Sequence, residues 1–152
     1  MAGWTNKGKF SMMEEYFRAT GAPTLFYVAL LTSATVPDAD TNTMADVTEV
    51  TAGQGYTTGG IAVSRTSTGF DVLTESDASD YSQMQILDIV WTASGGNLPA
   101  SGTGAVYAVL TDDNATVASR EIYAYWSLTS ARTVSDGQTL TLANLEMRVD
   151  ES

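Results

Sequence analysis

Five oxygen-bearing side chains follow one another in a single loop, and their spacing is that of a calcium-binding loop. They are Asp38, Asp40, Asn42, Asp46 and Glu49. They match the first, third, fifth, ninth and twelfth positions of an EF-hand, where such oxygens surround a calcium ion. The sixth position holds Thr43 instead of the glycine that the sharp turn requires, and the flanks read as strand and loop. The sequence therefore favours an acidic loop (residues 38–49) whose side chains cap its own turns, and it predicts no metal and no cofactor.

Other common catalytic groups are missing from the sequence or lack their usual context. The chain contains no Cys and no His, which excludes thiol nucleophiles, imidazole triads and the usual zinc sites. The glycine-rich segment at residues 53–56 lacks the lysine and the helix that follow a phosphate-binding loop. Acidic residues supply many carboxylate pairs, but nothing in the sequence selects one pair for glycosidase chemistry. We therefore expect a non-enzymatic protein.

The charge distribution restricts the partners of the chain. The formal net charge is −11, and three of the seven cationic residues, Lys7, Lys9 and Arg18, lie in the first 18 positions beside two Glu. The remaining chain carries four Arg and sixteen acidic residues. Such a surface repels phosphate backbones and anionic lipids, so we expect neither nucleic-acid nor membrane partners. The longest apolar run, Leu25–Leu31, is also too short to span a bilayer, and the first residues lack the apolar stretch of a signal peptide.

Two aromatic segments are candidates for protein contacts. The first contains Trp4, Phe10, Met13 and Phe17, with Met12 and Tyr16 on the adjoining stripe. It carries more apolar surface than a short helix needs, so it docks either on its own domain or on a neighbour. The second segment contains Tyr123 and Tyr125. Either one face of this segment packs in the core and the other forms an inter-strand surface, or the segment forms a subunit interface, where tyrosine is enriched.

The apolar spacing predicts one helix followed by strands. Phe10, Met13 and Phe17 recur at helical intervals; the helix begins either after Thr5 or Asn6, or later at Ser11, and it stops at Gly21 and Pro23. Beyond residue 24 the apolar residues recur at every second position, which is the spacing of a strand. Strand candidates include Leu25–Leu31, residues 61–63, 70–73, 83–91, 106–110, 122–126, 140–142 and 145–149. About seven or eight short strands predict an all-β antiparallel sandwich or barrel, jelly-roll-like, with one short N-terminal α-helix.

The length fits a single domain spanning residues 1–152. Within it, residues 1–20 are interpreted as a helical anchor segment and residues 24–150 as the β domain.

Several segments, in order along nearly the whole chain, carry a resemblance to a known family. They are residues 4–9 (WTNKGK), 26–33 (FYVALLTS), 48–50 (TEV), 53–56 (GQGY), 106–112 (VYAVLTD), 125–129 (YWSLT) and 132–140 (RTVSDGQTL). With them the chain resembles small structural proteins of tailed-bacteriophage virions, which are labelled tail fibre or head decoration proteins. The resemblance implies a non-catalytic role in the virion, after assembly in the host cytoplasm.

The sequence leaves two virion locations open. A small, compact, acidic domain favours a head decoration (cement) protein that stabilises the capsid exterior. The alternative is a tail-fibre, adaptor or baseplate component with a receptor-binding role. In either location the expected partners are other virion proteins, namely the major capsid protein or tail proteins, and further copies of this chain in a homo-oligomer.

Overall fold

A computed structural model describes residues 2–150; Met1, Glu151 and Ser152 of the predicted domain lie outside the described residues. One helix, α1 (Asn6–Arg18), and two 3-10 turns, Met44–Asp46 and Val117–Ser119, accompany the strands. The strands are β1 (Ala2–Trp4), β2 (Leu25–Leu31), β3 (Ile61–Ser64), β4 (Val72–Ser76), β5 (Tyr81–Ile86), β6 (Ile89–Thr92), β7 (Ala105–Thr111), β8 (Ile122–Arg132), β9 (Thr139–Leu142) and β10 (Leu145–Asp150). Within residues 2–150, no helix has the length and apolar character needed to cross a membrane.

The strands form three antiparallel sheets. The largest has the order β1-β8-β7-β2-β3, a second has the order β10-β5-β4, and the third pairs β6 with β9. The predicted all-β, sandwich-like fold with one N-terminal helix is therefore confirmed. Side chains from all three sheets meet in one main core, which includes Leu30, Ile86, Trp91 and Met147.

The centre of the five-stranded sheet is buried on both faces. In β2, Val28 and Leu30 enter the main core, whereas Ala29 and Leu31 face a second cluster with Met44. The uninterrupted apolar sequence of β2 reflects this position, because a strand covered on both sides has no polar face. Two layers of contacts therefore hold the centre of this sheet in place.

Two segments differ from the sequence-based expectation. The single strand expected at residues 83–91 is two strands, β5 and β6, that belong to different sheets. The break falls at the exposed Leu87, whose N–H donates to the Gly69 carbonyl at 3.0 Å instead of to a neighbouring strand. The strand expected at residues 70–73 instead begins at Val72 and continues to Ser76.

The first described residues form a strand, which no sequence pattern indicates. In β1, Ala2 pairs with Trp126, Gly3 with Tyr125 and Trp4 with Ala124 of β8. The helix predicted within residues 1–20 is present as α1, and this strand precedes it. A three-residue strand is too short to show a period of two, so only its pairing with β8 identifies it.

Candidate docking surface

The start of α1 is joined tightly to β8. Thr5 is the N-cap: its buried side-chain oxygen accepts a hydrogen bond from the Gly8 N–H at 2.8 Å and also donates to the Ile122 carbonyl. The Thr5 N–H donates to the Tyr123 carbonyl at 3.0 Å. Of the two helix starts that the sequence left open, the structure therefore has the one capped by Thr5.

The buried face of α1 consists of small residues. Gly8 and Ser11 are its buried positions, and a Cβ atom added at Gly8 would lie 2.4 Å from the Tyr123 carbonyl oxygen. Ser11 donates to a Glu121 carboxylate oxygen at 2.7 Å, and Lys7 forms an ion pair with the same carboxylate at 3.0 Å. The helix thus approaches the sheet closely, because no large side chain stands between them.

The opposite face of α1 carries large apolar side chains that contact little else. The exposed fractions are 46% for Phe10, 55% for Met13, 83% for Tyr16 and 78% for Phe17. These four residues form the helix patch. The rings of Tyr16 and Phe17 meet edge to face with centroids 5.1 Å apart, and the Lys7 ammonium lies 5.4 Å from the Phe10 ring. Contiguous exposed apolar surface of this kind is typical of a protein contact site.

An open groove continues the helix patch toward β10. Met13 and Phe17 line it together with Trp4 and Val149, and Lys9 and Arg148 contribute cations beside Asp150. The Trp4 indole N–H donates to the Arg148 carbonyl at 2.8 Å, which joins β1 to the edge of β10. The groove therefore has an apolar interior and a partly cationic rim.

A second side of α1 is strongly acidic. Glu14, Glu15, Asp112, Asp113 and Glu121 line a groove between α1 and the end of β7. Burial raises the pKa of Asp112, although backbone N–H donors partly oppose that shift. The pKa of Asp113 is lowered, mainly by a hydrogen bond from Thr24. The charge around α1 is thus divided into an acidic side and the partly cationic groove.

The structure brings together four of the six residues predicted for an interface and separates the other two. Trp4, Phe10, Met13 and Phe17 all belong to α1 or to the groove beside it. Local sequence patterns do not identify Val149 and Arg148 as parts of this surface. The alternation of β10 marked Val149 as one of an apolar series, but no local signal placed β10 beside α1.

Tyr123 and Tyr125 do not form an exposed surface, which corrects the prediction of a contact site there. Their exposed fractions are 3% and 9%. The Tyr123 hydroxyl lies under α1 and donates to Glu15 at 2.6 Å, and burial followed by this hydrogen bond raises the pKa of Tyr123. Tyr125 packs in the second cluster. Both faces of this segment are covered, because Tyr123 belongs to the main core and Tyr125 to the second cluster, which contains Met44 from the loop before β3.

The acidic loop uses its carboxylates for contacts within the chain. Asp38 accepts from the Asp40 N–H at 3.0 Å, and Asp46 accepts from the Thr43 N–H at 2.8 Å. These bonds confirm the interpretation as a self-capping loop, and the one from the Thr43 N–H lowers the pKa of Asp46. Asp40 accepts from the side-chain amide of Asn6 at 2.9 Å.

Glu49 belongs to a different contact. It accepts from the Tyr56 hydroxyl at 2.7 Å and from the Gly59 N–H. Within residues 2–150, no group of three or more His, Cys, Asp or Glu side chains is arranged to hold a metal ion. The five residues with calcium-loop spacing are therefore not assembled into one site.

Comparisons with protein-family models, with curated proteins and with solved structures found no match for this chain.

Proposed function

We propose that this chain is a non-enzymatic structural protein of a tailed-bacteriophage virion, and specifically a head decoration protein that binds the capsid exterior through the helix patch. The observation that carries the proposal is the exposure of Phe10, Met13, Tyr16 and Phe17 on a helix that its own domain holds firmly. The segments from residues 4–9 through 132–140 that resemble phage virion proteins, in the same order along the chain, support the same assignment.

The rigidity of α1 favours binding by the helix patch. Thr5 and Gly8 join the start of the helix to β8, so the helix is ordered before a partner arrives. A preformed surface avoids the cost of ordering a flexible segment on binding. Fully burying one large apolar side chain contributes about 1.5–3 kcal/mol. Several such side chains on one face therefore suffice for a stable contact with a capsid subunit.

The remaining surface suits the outside of a crowded particle. The net charge of −11 keeps copies apart in solution, while screening limits that repulsion to short distances, about 8 Å at physiological salt. Apolar contact acts within this distance. We therefore expect the protein to bind the shell, with its acidic surface facing outward.

The experiment measures the incorporation of purified protein into virions that lack it. Phe17→Ser is expected to weaken binding about 10- to 150-fold, which corresponds to the loss of one buried aromatic side chain. Leu87→Ser is the matched control, because Leu87 is also exposed and apolar but lies between β5 and β6, away from the patch. Wild-type binding by Phe17→Ser would contradict the docking role of the helix patch.

Copy number distinguishes the head from the tail. Quantitative mass spectrometry of purified virions is expected to find hundreds of copies per particle, as head decoration requires. A few to a few dozen copies would replace this assignment with a tail-fibre, adaptor or baseplate role. Absence from virions would refute both.

A further inference from the structure

A third groove lies at the far end of β8 from α1. It is bounded by residues 126–134 on one side and residues 139–145 on the other, and its volume is about 580 Å³. This size falls in the range of about 300–1,000 Å³ that is usual for ligand sites. The groove does not depend on the helix patch, so it can serve a function separate from attachment.

The groove exists because β8 leaves the sheet at this point. Tyr107 of β7 pairs with Ser127, but Ala105, only two residues away, pairs with Arg132, five residues further along β8. Three additional residues of β8 therefore bulge outward between these pairs. Large bulges commonly redirect side chains next to functional sites.

Both walls of the groove contain a residue in the left-handed backbone region. Thr129 in the bulge has φ 63°, and Asn144 between β9 and β10 has φ 56°. The conformation is uncommon for asparagine and costly for a β-branched residue such as threonine. Strained residues persist where the surrounding structure holds them, and they concentrate at binding sites. The shape of the groove is thus maintained at some cost in stability.

The chemistry of the lining differs from that of the chain as a whole. Thr129, Thr133, Thr139 and Thr141 line the groove, and Arg132 is its charged residue. In a chain with 18 acidic residues, none of the lining residues is Asp or Glu. Within residues 2–150 Arg132 forms no ion pair; its guanidinium donates only to the Leu128 carbonyl, at 3.4 Å.

We propose that this groove binds a short oligosaccharide that carries one carboxylate. Threonine hydroxyls donate and accept hydrogen bonds as sugar hydroxyls do. A guanidinium binds a carboxylate through two parallel hydrogen bonds, and the groove offers one such group. Half-buried apolar side chains in the lining, Leu128 and Val134, supply an apolar patch for the C–H face of a sugar ring. The high negative charge of the protein disfavours a ligand with many negative charges, so an oligosaccharide that is neutral apart from one carboxylate fits best.

The test uses the purified chain and two-dimensional NMR, with sialyllactose as the acidic probe and lactose as its neutral counterpart. Millimolar sialyllactose is expected to shift amide signals of residues 127–145, and lactose is expected to bind much more weakly. Arg132→Gln is expected to weaken sialyllactose binding about tenfold, as removal of one charge-assisted contact predicts. Arg65→Gln is the control, since Arg65 is an exposed arginine on a different surface.

Several results would overturn the proposal. They are no shifts with millimolar sialyllactose, equal shifts with sodium acetate, unchanged affinity in Arg132→Gln, and an equal loss in Arg65→Gln. The acetate result would mean that the groove attracts small anions and does not recognise a sugar. Thr141→Val provides a second variant if Arg132→Gln unfolds, because it removes one hydroxyl and keeps the charge; wild-type affinity in Thr141→Val would equally contradict the proposal. No virion is needed, so this outcome is independent of the test of capsid binding.

Discussion

Replacing Gly8 by alanine tests the close contact that holds α1 against β8. Two effects of opposite sign compete at this position. Alanine is the better helix former by about 1 kcal/mol, which would stabilise an exposed helix. At Gly8, however, the new Cβ atom would lie 2.4 Å from the Tyr123 carbonyl oxygen and 2.5 Å from its Cα.

The steric effect is expected to prevail. A Cβ atom essentially never approaches a neighbour closer than 3.0 Å, so α1 would have to move by at least about 0.6 Å, the difference between 3.0 Å and 2.4 Å. The opposing atoms are backbone atoms of Tyr123, near the start of β8, and cannot rotate away. Overpacking of this kind costs about 1–3 kcal/mol of stability. The cost at Gly8 is expected near the upper end of this range, because the new atom meets backbone atoms. The net destabilisation is therefore about 1–2 kcal/mol after the gain in helix propensity.

The assay is equilibrium unfolding, by heat and by urea, of Gly8→Ala beside Gly21→Ala. For a domain of this size, a loss of 1 kcal/mol lowers Tm by about 2–4 °C. Gly21 is a matched control because a Cβ atom there meets nothing within 4 Å. Its variant is expected to be neutral or slightly stabilised. A Gly8→Ala protein at least as stable as the wild type would refute the close packing of α1 on β8 and, with it, the rigid presentation of the helix patch.

Three further outcomes are expected from purified protein. Tyr56→Phe should lower the free energy of unfolding by about 1–3 kcal/mol, because the Leu30 N–H loses its buried acceptor. The control, Tyr16→Phe at an exposed position, should have no effect, and equal effects of the two variants would contradict the role of Tyr56 as that acceptor. Asp112→Asn and Asp113→Asn should shift stability at pH 7 in opposite directions, measured by urea unfolding. The raised pKa of Asp112 favours its protonated form, so the charge of Asp112 opposes folding once the pH exceeds that pKa. The lowered pKa of Asp113 means that its charge stabilises the fold above pH 3.8, and this stability is lost on acidification. Shifts of the same sign would refute this assignment. Calcium should raise Tm no more than magnesium does, since the acidic loop already uses its carboxylates for its own hydrogen bonds. A rise in Tm with calcium alone would show that the loop holds a calcium site.

Local periodicity was sufficient to predict much of the fold. The alternation of Leu145, Met147 and Val149 predicted β10, and the apolar run Leu25–Leu31 predicted a buried strand. Both signals depend only on neighbouring residues, because side chains in a strand alternate between two faces. The all-β class with one N-terminal helix followed from the same patterns.

Pairing between distant residues decided what periodicity could not. The three residues of β1 are a strand only because β8 lies beside them. The division of residues 83–91 depends on two different partner sheets. Glu49, which the local spacing suggested as a metal ligand, accepts its hydrogen bonds from Tyr56 and Gly59.

The position of α1 shows the same limit most clearly. The sequence determined that Phe10, Met13 and Phe17 share one helix face, because residues three and four apart are neighbours on a helix. It did not determine which face meets the sheet, since an apolar stripe ordinarily packs inward. The tertiary structure turned that stripe to the surface and buried Gly8 and Ser11 instead. The physical reason is the short distance between α1 and the backbone of β8, which only small side chains permit.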